Sequence, residues 1–263
     1  DTDRSRGLGD VYKRQPMDGV PHWLERTELL LGSETLRRLA DKHVLIVGLG
    51  GVGSKACELL ARSGIGRFTL VDHDKVDETN INRQVIAFRD TIGRPKVEVV
   101  EELLHRINPD IMVEKHAAYL SGDNIPTLLA THHYDYILDC IDTLTPKCEL
   151  LLAAHQLGIP IISAMGAGAK LDPRQVSVAP MSKTHICALA RFVRKRLRQL
   201  EAPRAVFATP CVYSSEPSRE EAIRALPHSD QNKRSIVGTI SYMPQLFGLH
   251  MAAYVLQDLS TPQ

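Results

Sequence analysis

The chain has 263 residues, of which 43% are hydrophobic and 24% are charged, and its formal net charge is +1. This composition is typical of a globular protein with one large core, and it excludes a chain that is basic throughout. No apolar run reaches the ~18 residues of a membrane span and no secretory signal is found, so we expect a cytoplasmic protein without membrane contact. The five cysteines form no C-x-x-C pair, which argues against a disulfide framework and a four-cysteine zinc site.

The segment before the first predicted strand divides into two parts. Residues 1–16 resemble a translated sequencing-adapter tag, and we exclude them from the fold as a non-native, disordered segment. The rest, 17–263, is predicted to be a single unit with a nucleotide-binding core over 17–165 and a C-terminal elaboration over 166–263. Near its start, Ser33 is expected to cap a short helix that continues to about Ala40.

The stretch from residue 43 to residue 74 is typical of a nucleotide-binding βαβ unit. An apolar strand runs into a glycine-rich turn, a helix follows, and a second apolar strand ends at Asp72. Glycines let the backbone approach a phosphate without a Cβ atom in the way, and the helix N-terminus offers N–H groups to an anion. Asp72 stands where a carboxylate accepts hydrogen bonds from ribose hydroxyls. The glycines of this predicted nucleotide site are Gly48, Gly50, Gly51 and Gly53.

A polar loop follows Asp72 and reaches residue 84. A loop directly after a parallel strand lies at the carboxyl edge of the sheet, where open α/β sheets bind ligands. The loop contains Asp74, Asn80 and Arg83. The next helix is expected to open at residues 93–96, with Pro95 in its first turn and Lys96 at its start.

Strands and helices alternate in the prediction up to residue 163. Further strands are expected at 111–116, 134–142 and 159–163, and helices at 124–130 and 146–157. This alternation predicts a mainly parallel, doubly wound Rossmann-like α/β sheet with helices on both faces. The strand over 134–142 ends in the acids Asp139 and Asp142.

The pattern changes after residue 165. Strands are expected at 175–178 and 205–213, a polar and mobile loop at 214–235, and a closing helix at 242–259. Between them, residues 182–200 are predicted to form an amphipathic helix. Its polar side is basic, which favours either a nucleic-acid contact through phosphates or a solvated helix face. The basic residues are Arg191, Arg194, Lys195, Arg196 and Arg198.

Three charged residues distinguish the predicted site from a plain dinucleotide site. Arg83 and Lys96 could clamp a triphosphate while charge develops on it. Asp142 could hold Mg²⁺, a hard cation that prefers oxygen ligands. A dehydrogenase handles a diphosphate and needs no such set, so an NAD-dependent oxidoreductase is the more distant hypothesis, and a nucleotide-binding scaffold without turnover is another.

Taken in order, these motifs resemble those of the E1-like superfamily, which contains the ubiquitin-activating enzymes and the bacterial enzymes that adenylate sulfur-carrier proteins. The matching segments are 48–53, 71–74, 80–84, 93–96 and 139–142. Within the superfamily the chain is most similar to the branch of tRNA threonylcarbamoyladenosine dehydratases. That resemblance is carried by residues 26–30, 166–173, 182–184, 212–216 and 238–244.

The resemblance implies ATP-dependent chemistry on a modified adenosine in tRNA. The carboxylate of the modification would form an acyl-adenylate, and ring closure would expel AMP, for a net dehydration. The resemblance also implies a homodimer and a bound monovalent cation, K⁺ or Na⁺. The implied site comprises Gly50, Gly51 and Gly53 at the phosphates, Asp72 and Asp74 near the ribose, Asn80, Arg83 and Lys96 on the phosphates, Asp142 on Mg²⁺, and Arg26 reaching ATP across the dimer interface.

Several alternatives stay open on the sequence. Adenylation of the C-terminal glycine of a ubiquitin-like sulfur-carrier protein would use the same ATP motifs, with a carrier or sulfur-transfer protein as partner. The missing C-x-x-C pairs and the basic helix favour tRNA. Cys211 is either an acyl acceptor or a small buried apolar group. Asp139 either takes part in the chemistry or only forms local hydrogen bonds.

Overall fold

The computed structural model describes residues 20–225 and 235–261; the segment 1–16 that was predicted to be non-native lies outside them. The described residues form a seven-stranded sheet and a two-stranded sheet. The strands of the large sheet are β1 (His43–Val47), β2 (Arg67–Val71), β3 (Met112–His116), β4 (Tyr136–Asp139), β5 (Ile161–Ala164), β6 (Val176–Pro180) and β7 (Pro210–Ser214). The small sheet pairs β8 (Ile223–Ala225) with β9 (Ser235–Val237).

The strand order of the large sheet is β3-β2-β1-β4-β5-β7-β6. Every neighbouring pair is parallel except β6 and β7, which are antiparallel. The chain therefore runs outward from β1 in one direction through β2 and β3, and then in the other direction from β4. This order is that of a doubly wound, Rossmann-like sheet and confirms the predicted fold class.

Helices cover both faces of the sheet. They are α1 (Glu25–Leu31), α2 (Ser33–Asp41), α3 (Gly53–Arg62), α4 (Lys96–Ile107), α5 (Ile125–Thr131), α6 (Leu144–Gln156), α7 (Ala188–Gln199) and α8 (Tyr242–Ser260). The residues of β1 alternate between two cores because successive side chains of a strand point to opposite faces. Val44 and Ile46 lie in the core formed with α2, α3, α4 and α8, whereas Leu45 and Val47 lie in the core formed with α5, α6 and α7.

Two helix starts differ from the sequence prediction. Ser33 is the first residue of α2 and not its cap: Gly32 precedes the helix with φ of 80°, and the Ser33 hydroxyl donates to Glu28 Oε1 at 2.6 Å instead. Pro95 is the residue before α4 and not part of its first turn, because its ψ of 132° is extended. Lys96 therefore begins α4.

The predicted helix over 182–200 is shorter than expected. Met181–Lys183 forms a 3₁₀ turn, and Ile186 has φ of 62°, a left-handed conformation that a right-handed helix cannot include. The α-helix consequently begins only at Ala188. Similarly, the strand predicted over 205–213 begins at Pro210, because Arg204–Ala208 forms a 3₁₀ helix.

The segment 214–235, predicted to be a polar and mobile loop, contains regular structure where its residues are described, and its mobility stays a prediction. Glu220–Ala222 forms a 3₁₀ turn, and β8 and β9 pair beyond it; residues 226–234 lie outside the described residues. The closing helix is confirmed as α8. Among the described residues, no helix combines the length and the apolar character needed to cross a membrane.

Candidate functional site

The predicted nucleotide-binding residues meet where the sheet changes winding direction. β1 pairs with β2 on one side and with β4 on the other, and the carboxyl ends of these three strands lead to the glycine turn, to Asp72 and to Asp142. Open α/β sheets bind ligands in the crevice at this point. The topology therefore brings the three strand-end segments to one edge.

The four glycines of the turn have different surroundings. A Cβ atom on Gly53 would lie 1.8 Å from Gly48 O, and one on Gly51 would lie 2.9 Å from Pro244 Cβ. Gly48 has φ of 91°, and its Cβ would lie 2.8 Å from the carbonyl oxygen of Cys140. Packing of the protein therefore requires these three glycines.

Gly50 has room for a Cβ atom. Its nearest neighbour for an added Cβ atom is Gln84 Nε2 at 3.8 Å, which is an ordinary contact distance, and its φ does not require glycine. The protein alone thus gives no reason for a glycine here. A phosphate that approaches the backbone closely would give one, and the turn therefore fits a nucleotide.

Gly50 and Gly53 offer a matched test of this distinction. We expect Gly50→Ala to keep the stability of the wild type within about 0.5 kcal/mol, because the site is open, and to weaken ATP binding at least tenfold. Gly53→Ala should instead prevent correct folding, since its Cβ would meet the carbonyl of Gly48. Thermal unfolding and an ATP-binding titration on both variants check this, and unchanged ATP affinity in Gly50→Ala would contradict the assignment.

Asp72 holds the glycine turn in place. Its Oδ2 accepts from the backbone N–H of Leu49 at 2.6 Å, and its Oδ1 accepts from the backbone N–H of Asp74 at 2.8 Å. The carboxylate is nearly buried, with 9% of the residue exposed. Each carboxylate oxygen has a second lone pair, so the same group can also accept a ribose hydroxyl.

Asp74 positions Lys96. Lys96 Nζ donates to Asp74 Oδ2 at 2.7 Å, and the backbone N–H of Lys96 donates to Asp74 O at 3.1 Å. The Lys96 side chain is only 5% exposed, whereas that of Asp74 is 43% exposed. The ammonium group is therefore fixed at the start of α4 with its charge partly compensated, which suits a phosphate-binding lysine.

Arg83 lies near Asp142 although the two are far apart in sequence. Burial lowers the pKa of Arg83, and the carboxylates of Asp142 and Asp77 oppose that effect. The guanidinium Nη1 donates to Thr79 O at 2.8 Å and to Asn82 Oδ1 at 2.9 Å. A half-buried, oriented guanidinium beside a carboxylate forms a site with both signs of charge for a metal-bound triphosphate.

Asn80 has a local role in the structure. It is the last residue of the 3₁₀ turn Glu78–Asn80, and its Oδ1 accepts from the backbone N–H of Asp77 at 3.1 Å in a capping box. Arg83 N and Gln84 N both donate to the carbonyl of Asn80. Asn80 therefore shapes the loop that carries Arg83.

Gln84 is a site residue to which the sequence analysis gave no role. It is 6% exposed, its Nε2 is the group nearest to Gly50, and its Oε1 is buried without a hydrogen-bond partner among the described residues. A buried amide with an unused polar atom beside an open cradle fits a group that binds the ligand. The signal in the sequence was its position directly after Arg83 in the E1-like motif.

A buried charge network lies behind the site. Lys147 Nζ donates to Asp139 Oδ2 at 2.6 Å, and both side chains are 0% exposed. Ser163 Oγ donates to Asp139 Oδ2 at 2.6 Å, and Ile141 N donates to Asp139 Oδ1 at 3.1 Å. Asp139 thus ties the end of β4, the turn toward Asp142 and the first turn of α6 together, which supports the interpretation that its hydrogen bonds are local.

The sequence analysis missed Lys147. Its signal was the spacing of Leu150, Leu151 and Ala154, which are buried and lie three, four and seven residues further along α6. A lysine at that spacing shares their face of the helix and is buried with them. A buried lysine needs an acid, and Asp139 at the end of the preceding strand is the one it meets.

Two carboxylate sets could be considered for a metal ion. Asp72, His73 and Asp74 offer one atom each within 4.8 Å of one another. Both oxygens of Asp72 already accept backbone N–H groups, and Asp74 binds Lys96. Asp142 is exposed and interacts electrostatically with Arg83, so its carboxylate fits Mg²⁺ held jointly with phosphate oxygens better.

The remaining predicted residues lie elsewhere. Arg26 is in α1, which has no buried residue, and it makes no hydrogen bond or ion pair with the described residues. Arg194 is part-buried and donates to Thr184 Oγ1 and, at 3.4 Å, to Met181 O, so it holds the 3₁₀ turn and is not part of a free basic face. Burial raises the pKa of the Cys211 thiol to about 12, which favours the small buried apolar group over the acyl acceptor.

The model of the ThiF family matches residues 24–262. The chain belongs to the ThiF family. This membership confirms the E1-like resemblance that the motifs indicated, and it accounts for the shared edge of glycine turn, acids and cations. The match includes residues of the segment after 165 as well as those before it.

Named members of the family include relatives that cover most of this ThiF-family chain. The tRNA threonylcarbamoyladenosine dehydratase of Bacillus subtilis is 35% identical over 244 residues, which are 90% of this chain and 94% of the relative. The dehydratase of Escherichia coli is 38% identical over 201 residues, 74% of this chain and 75% of the relative. The molybdopterin-synthase adenylyltransferase of Salmonella typhimurium is 35% identical over 203 residues, 76% of this chain and 78% of the relative.

Solved structures agree with this family assignment. The crystal structure of the Escherichia coli dehydratase in complex with ATP superposes with a TM-score of 0.81 at 32% identity, and covers 90% of this chain and 93% of the other. The complex of the same enzyme with AMP gives a TM-score of 0.80 at 34% identity, with 91% and 96% covered. The ThiF-family chain therefore has the fold of a protein that is solved with both nucleotides.

Proposed function

We propose that this ThiF-family protein catalyses the ATP-dependent, cyclising dehydration of N6-threonylcarbamoyladenosine in tRNA. The observation that carries the proposal is its likeness to the dehydratase of Bacillus subtilis over 94% of that relative's length. The geometry supports the adenylation half of the reaction, because an open glycine cradle, Lys96, Arg83 and Asp142 share one sheet edge. The Escherichia coli complexes with ATP and AMP support the same nucleotide chemistry.

The first step is adenylation. A carboxylate oxygen of the modification attacks the α-phosphorus of ATP, the bond from that phosphorus to the β-phosphate bridging oxygen breaks, and pyrophosphate leaves. Negative charge grows on the phosphate oxygens during this step, and Arg83 and Lys96 are the cations that stabilise it. Asp72 binds the ribose, and the N–H groups around Gly50 and at the start of α3 orient the phosphates.

The second step closes the ring. A heteroatom of the carbamoyl group attacks the activated acyl carbon, the bond from that carbon to the AMP oxygen breaks, and the carbamoyl group loses a proton. The carboxylate oxygen departs with AMP, so the nucleoside loses the elements of one water. No thiol of the protein is needed, which agrees with the buried and protonated Cys211.

Metal ions and location complete the proposal. Asp142 would hold Mg²⁺ together with phosphate oxygens, and the ion would supply charge neutralisation of the triphosphate. A monovalent cation, K⁺ or Na⁺, and a cytoplasmic location are carried over from the resemblance alone. Pyrophosphate formation that needs no divalent cation would contradict the role of Asp142.

We further propose that the protein is a homodimer in which Arg26 acts at the ATP site of the second copy. Arg26 is exposed in α1, and its neighbours Leu29 and Leu30 are 75% and 82% exposed. Two adjacent leucines in water favour an interface that covers them. In that arrangement Arg26 would meet the phosphates together with Arg83.

The exposed basic residues of α7 are proposed to bind tRNA phosphates. Arg191, Lys195 and Arg198 are exposed, whereas Arg194 is held by the turn before the helix. We expect their joint replacement with glutamine to weaken tRNA binding and to reduce the slope of log K against log salt by about 2–3, while ATP affinity is unchanged. Filter binding at several salt concentrations measures this. An unchanged tRNA slope would exclude this face as the contact.

Activation of a sulfur carrier is the second candidate. It is favoured by the 35% identity to the Salmonella typhimurium molybdopterin-synthase adenylyltransferase over 76% of this chain. The adenylation step would be the same, but the acceptor carboxylate would be a C-terminal glycine. The two candidates therefore differ only in the acceptor.

The acceptor decides between them in one experiment. Pyrophosphate and AMP are measured with ATP, Mg²⁺ and one of three additions: tRNA with the threonylcarbamoyl modification, the same tRNA without it, or a β-grasp carrier protein. AMP formed only with the modified tRNA supports the proposal. Pyrophosphate formed only with the carrier protein, whose acyl-adenylate retains the AMP, supports the second candidate, and pyrophosphate formed with none of the additions supports a scaffold.

A further inference from the structure

A cavity of about 380 Å³ opens beside the proposed phosphate site. Its walls come from three separate parts of the C-terminal elaboration and from one residue of the polar loop. The residues that line it include Asn82, Lys170, Leu171, Arg219, Ala222 and Ile240. The proposed adenylation chemistry assigns no role to this cavity.

Asn82 joins the cavity to Arg83. Its Oδ1 accepts from Arg83 Nη1 at 2.9 Å, and its Nδ2 donates to Thr239 O at 2.9 Å. Thr239 itself lines the cavity. A single side chain therefore separates a ligand in the cavity from the guanidinium that is proposed to hold the phosphates.

Asp142 and the wall segment at residues 169–171 follow neighbouring strands of the sheet. Asp72 follows β2, Asp142 follows β4 on the other side of β1, and residues 169–171 follow β5, one strand further. Asn82 and Arg83 belong to the polar loop after β2, and Asn82 Nδ2 donates to Thr239 O, so this loop and the C-terminal elaboration meet at the cavity. An acceptor bound in this cavity would therefore lie next to the loop that carries Arg83.

Backbone hydrogen bonds hold the walls together. Ala169 N donates to Gly238 O at 2.8 Å, Gly238 N donates to Ala222 O at 2.8 Å, and Arg219 N donates to Ala169 O at 3.0 Å. The hydroxyl of Tyr242 donates to Leu171 O at 2.8 Å. The three wall segments are thus tied to one another and to α8, as in a preformed site.

The lining chemistry matches a nucleotide. Leu171, Ala222 and Ile240 give apolar walls that can pack against a flat base. Arg219 stands at the rim with 51% of its side chain exposed, and its ion pair with Glu221 is long, at 3.9 Å. An exposed guanidinium at the rim of an apolar cavity suits a phosphodiester next to a base. Lys170 Nζ donates to Glu216 O and belongs to the wall.

We propose that this cavity binds the acceptor nucleotide of the substrate tRNA, a purine nucleoside whose N6 substituent carries the carboxylate. The base packs between the apolar walls, Arg219 binds the flanking phosphodiester, and the substituent passes Asn82 to reach the α-phosphate. The inference rests on the proposed function and adds to it the place where the acceptor binds.

Two variants and two matched controls test the cavity. Ile240→Trp fills it and Arg219→Ala removes the rim cation. Ile236→Trp and Arg224→Ala change exposed residues of the adjoining β8–β9 hairpin that do not line it. We expect both cavity variants to raise the KM for modified tRNA about tenfold or more, which corresponds to at least about 1.4 kcal/mol. The KM for ATP should stay within about twofold, and the controls should resemble the wild type.

A small ligand tests binding in the cavity without contacts from the rest of the tRNA. N6-threonylcarbamoyladenosine 5′-monophosphate should compete with modified tRNA in the wild type and compete at least several-fold less well in Ile240→Trp. If wild type is active and neither cavity variant changes the KM for modified tRNA, the cavity proposal is wrong and the proposed function stands. If wild type forms no cyclised product, both are wrong. If Ile240→Trp loses ATP binding and so reports misfolding, Arg219→Ala and its control decide.

Discussion

Replacing Arg83 with alanine is expected to lower kcat/KM for the cyclisation by about 10²–10³-fold, the usual cost of removing one oriented charge donor from a developing oxyanion. The loss should appear mainly in kcat, because the charge on the phosphate oxygens grows in the transition state. Arg83 is well placed for this role: its Nη1 is held by Thr79 O and Asn82 Oδ1. Steady-state kinetics with modified tRNA measure the effect.

Arg89→Ala is the matched control. Arg89 lies in the same segment, but its side chain is 89% exposed, and its one ion pair with the described residues is a long contact of 4.0 Å with Glu78. We expect its kinetics to equal those of the wild type. Arg83→Lys should recover little, because lysine cannot reproduce the planar fork. An Arg83→Ala variant that retains more than about a third of the wild-type kcat would show that the phosphates are stabilised elsewhere.

Lys147→Met is expected to destabilise the fold by about 3–5 kcal/mol, because it leaves the carboxylate of Asp139 buried without its cation. Both side chains are fully buried, so solvent cannot replace the lost partner. A loss of this size is a large part of the 5–15 kcal/mol that typically separates folded from unfolded states. Urea unfolding of the two proteins at neutral pH measures the difference.

The double variant Asp139→Leu/Lys147→Met separates two quantities: the free-energy cost of leaving Asp139 without its cation, and the net contribution of the ion pair to stability. Apolar replacement of a whole buried pair is often neutral or stabilising, so the double variant should regain most of the stability that Lys147→Met loses. It also removes the acceptor of Ile141 N and so loosens the turn toward Asp142. A Lys147→Met protein as stable as the wild type would contradict the expected cost of removing the partner of Asp139.

The sheet and the site edge were predictable from the sequence. Buried parallel strands are short apolar runs. In β1 all of Val44 to Val47 are apolar, so this unbroken run locates the strand. At sharp turns and strand ends, few residue types can replace the one present. Gly48, Gly53 and Asp72 are examples, because steric contact or a backbone hydrogen bond requires each of them.

Helix starts and side-chain partners were less predictable. The start of α7 depends on the left-handed Ile186 and on Arg194, which bonds back to the turn at 181–184. Neither feature follows from the amphipathic pattern of residues 182–200. The Asp139–Lys147 pair was missed for a related reason: the pattern gives the buried face of a helix but does not reveal which charge that face meets across the core.

The roles of Arg26, Asp142 and the monovalent cation stay predictions, because they concern ligands and a second subunit. The proposed roles of Asp72, Arg83 and Lys96 at the nucleotide and of the cavity at the acceptor are predictions of the same kind. Each proposed role can be tested with a single substitution and a control substitution at a nearby residue.

The most direct measurement is mass spectrometry of the nucleosides from modified tRNA after incubation with the protein, ATP and Mg²⁺. The proposed dehydratase predicts a threonylcarbamoyladenosine product lighter by one water, formed in equal amount to AMP, dependent on ATP and nearly absent with Arg83→Ala. AMP formation that leaves the mass of this nucleoside unchanged would contradict the proposal.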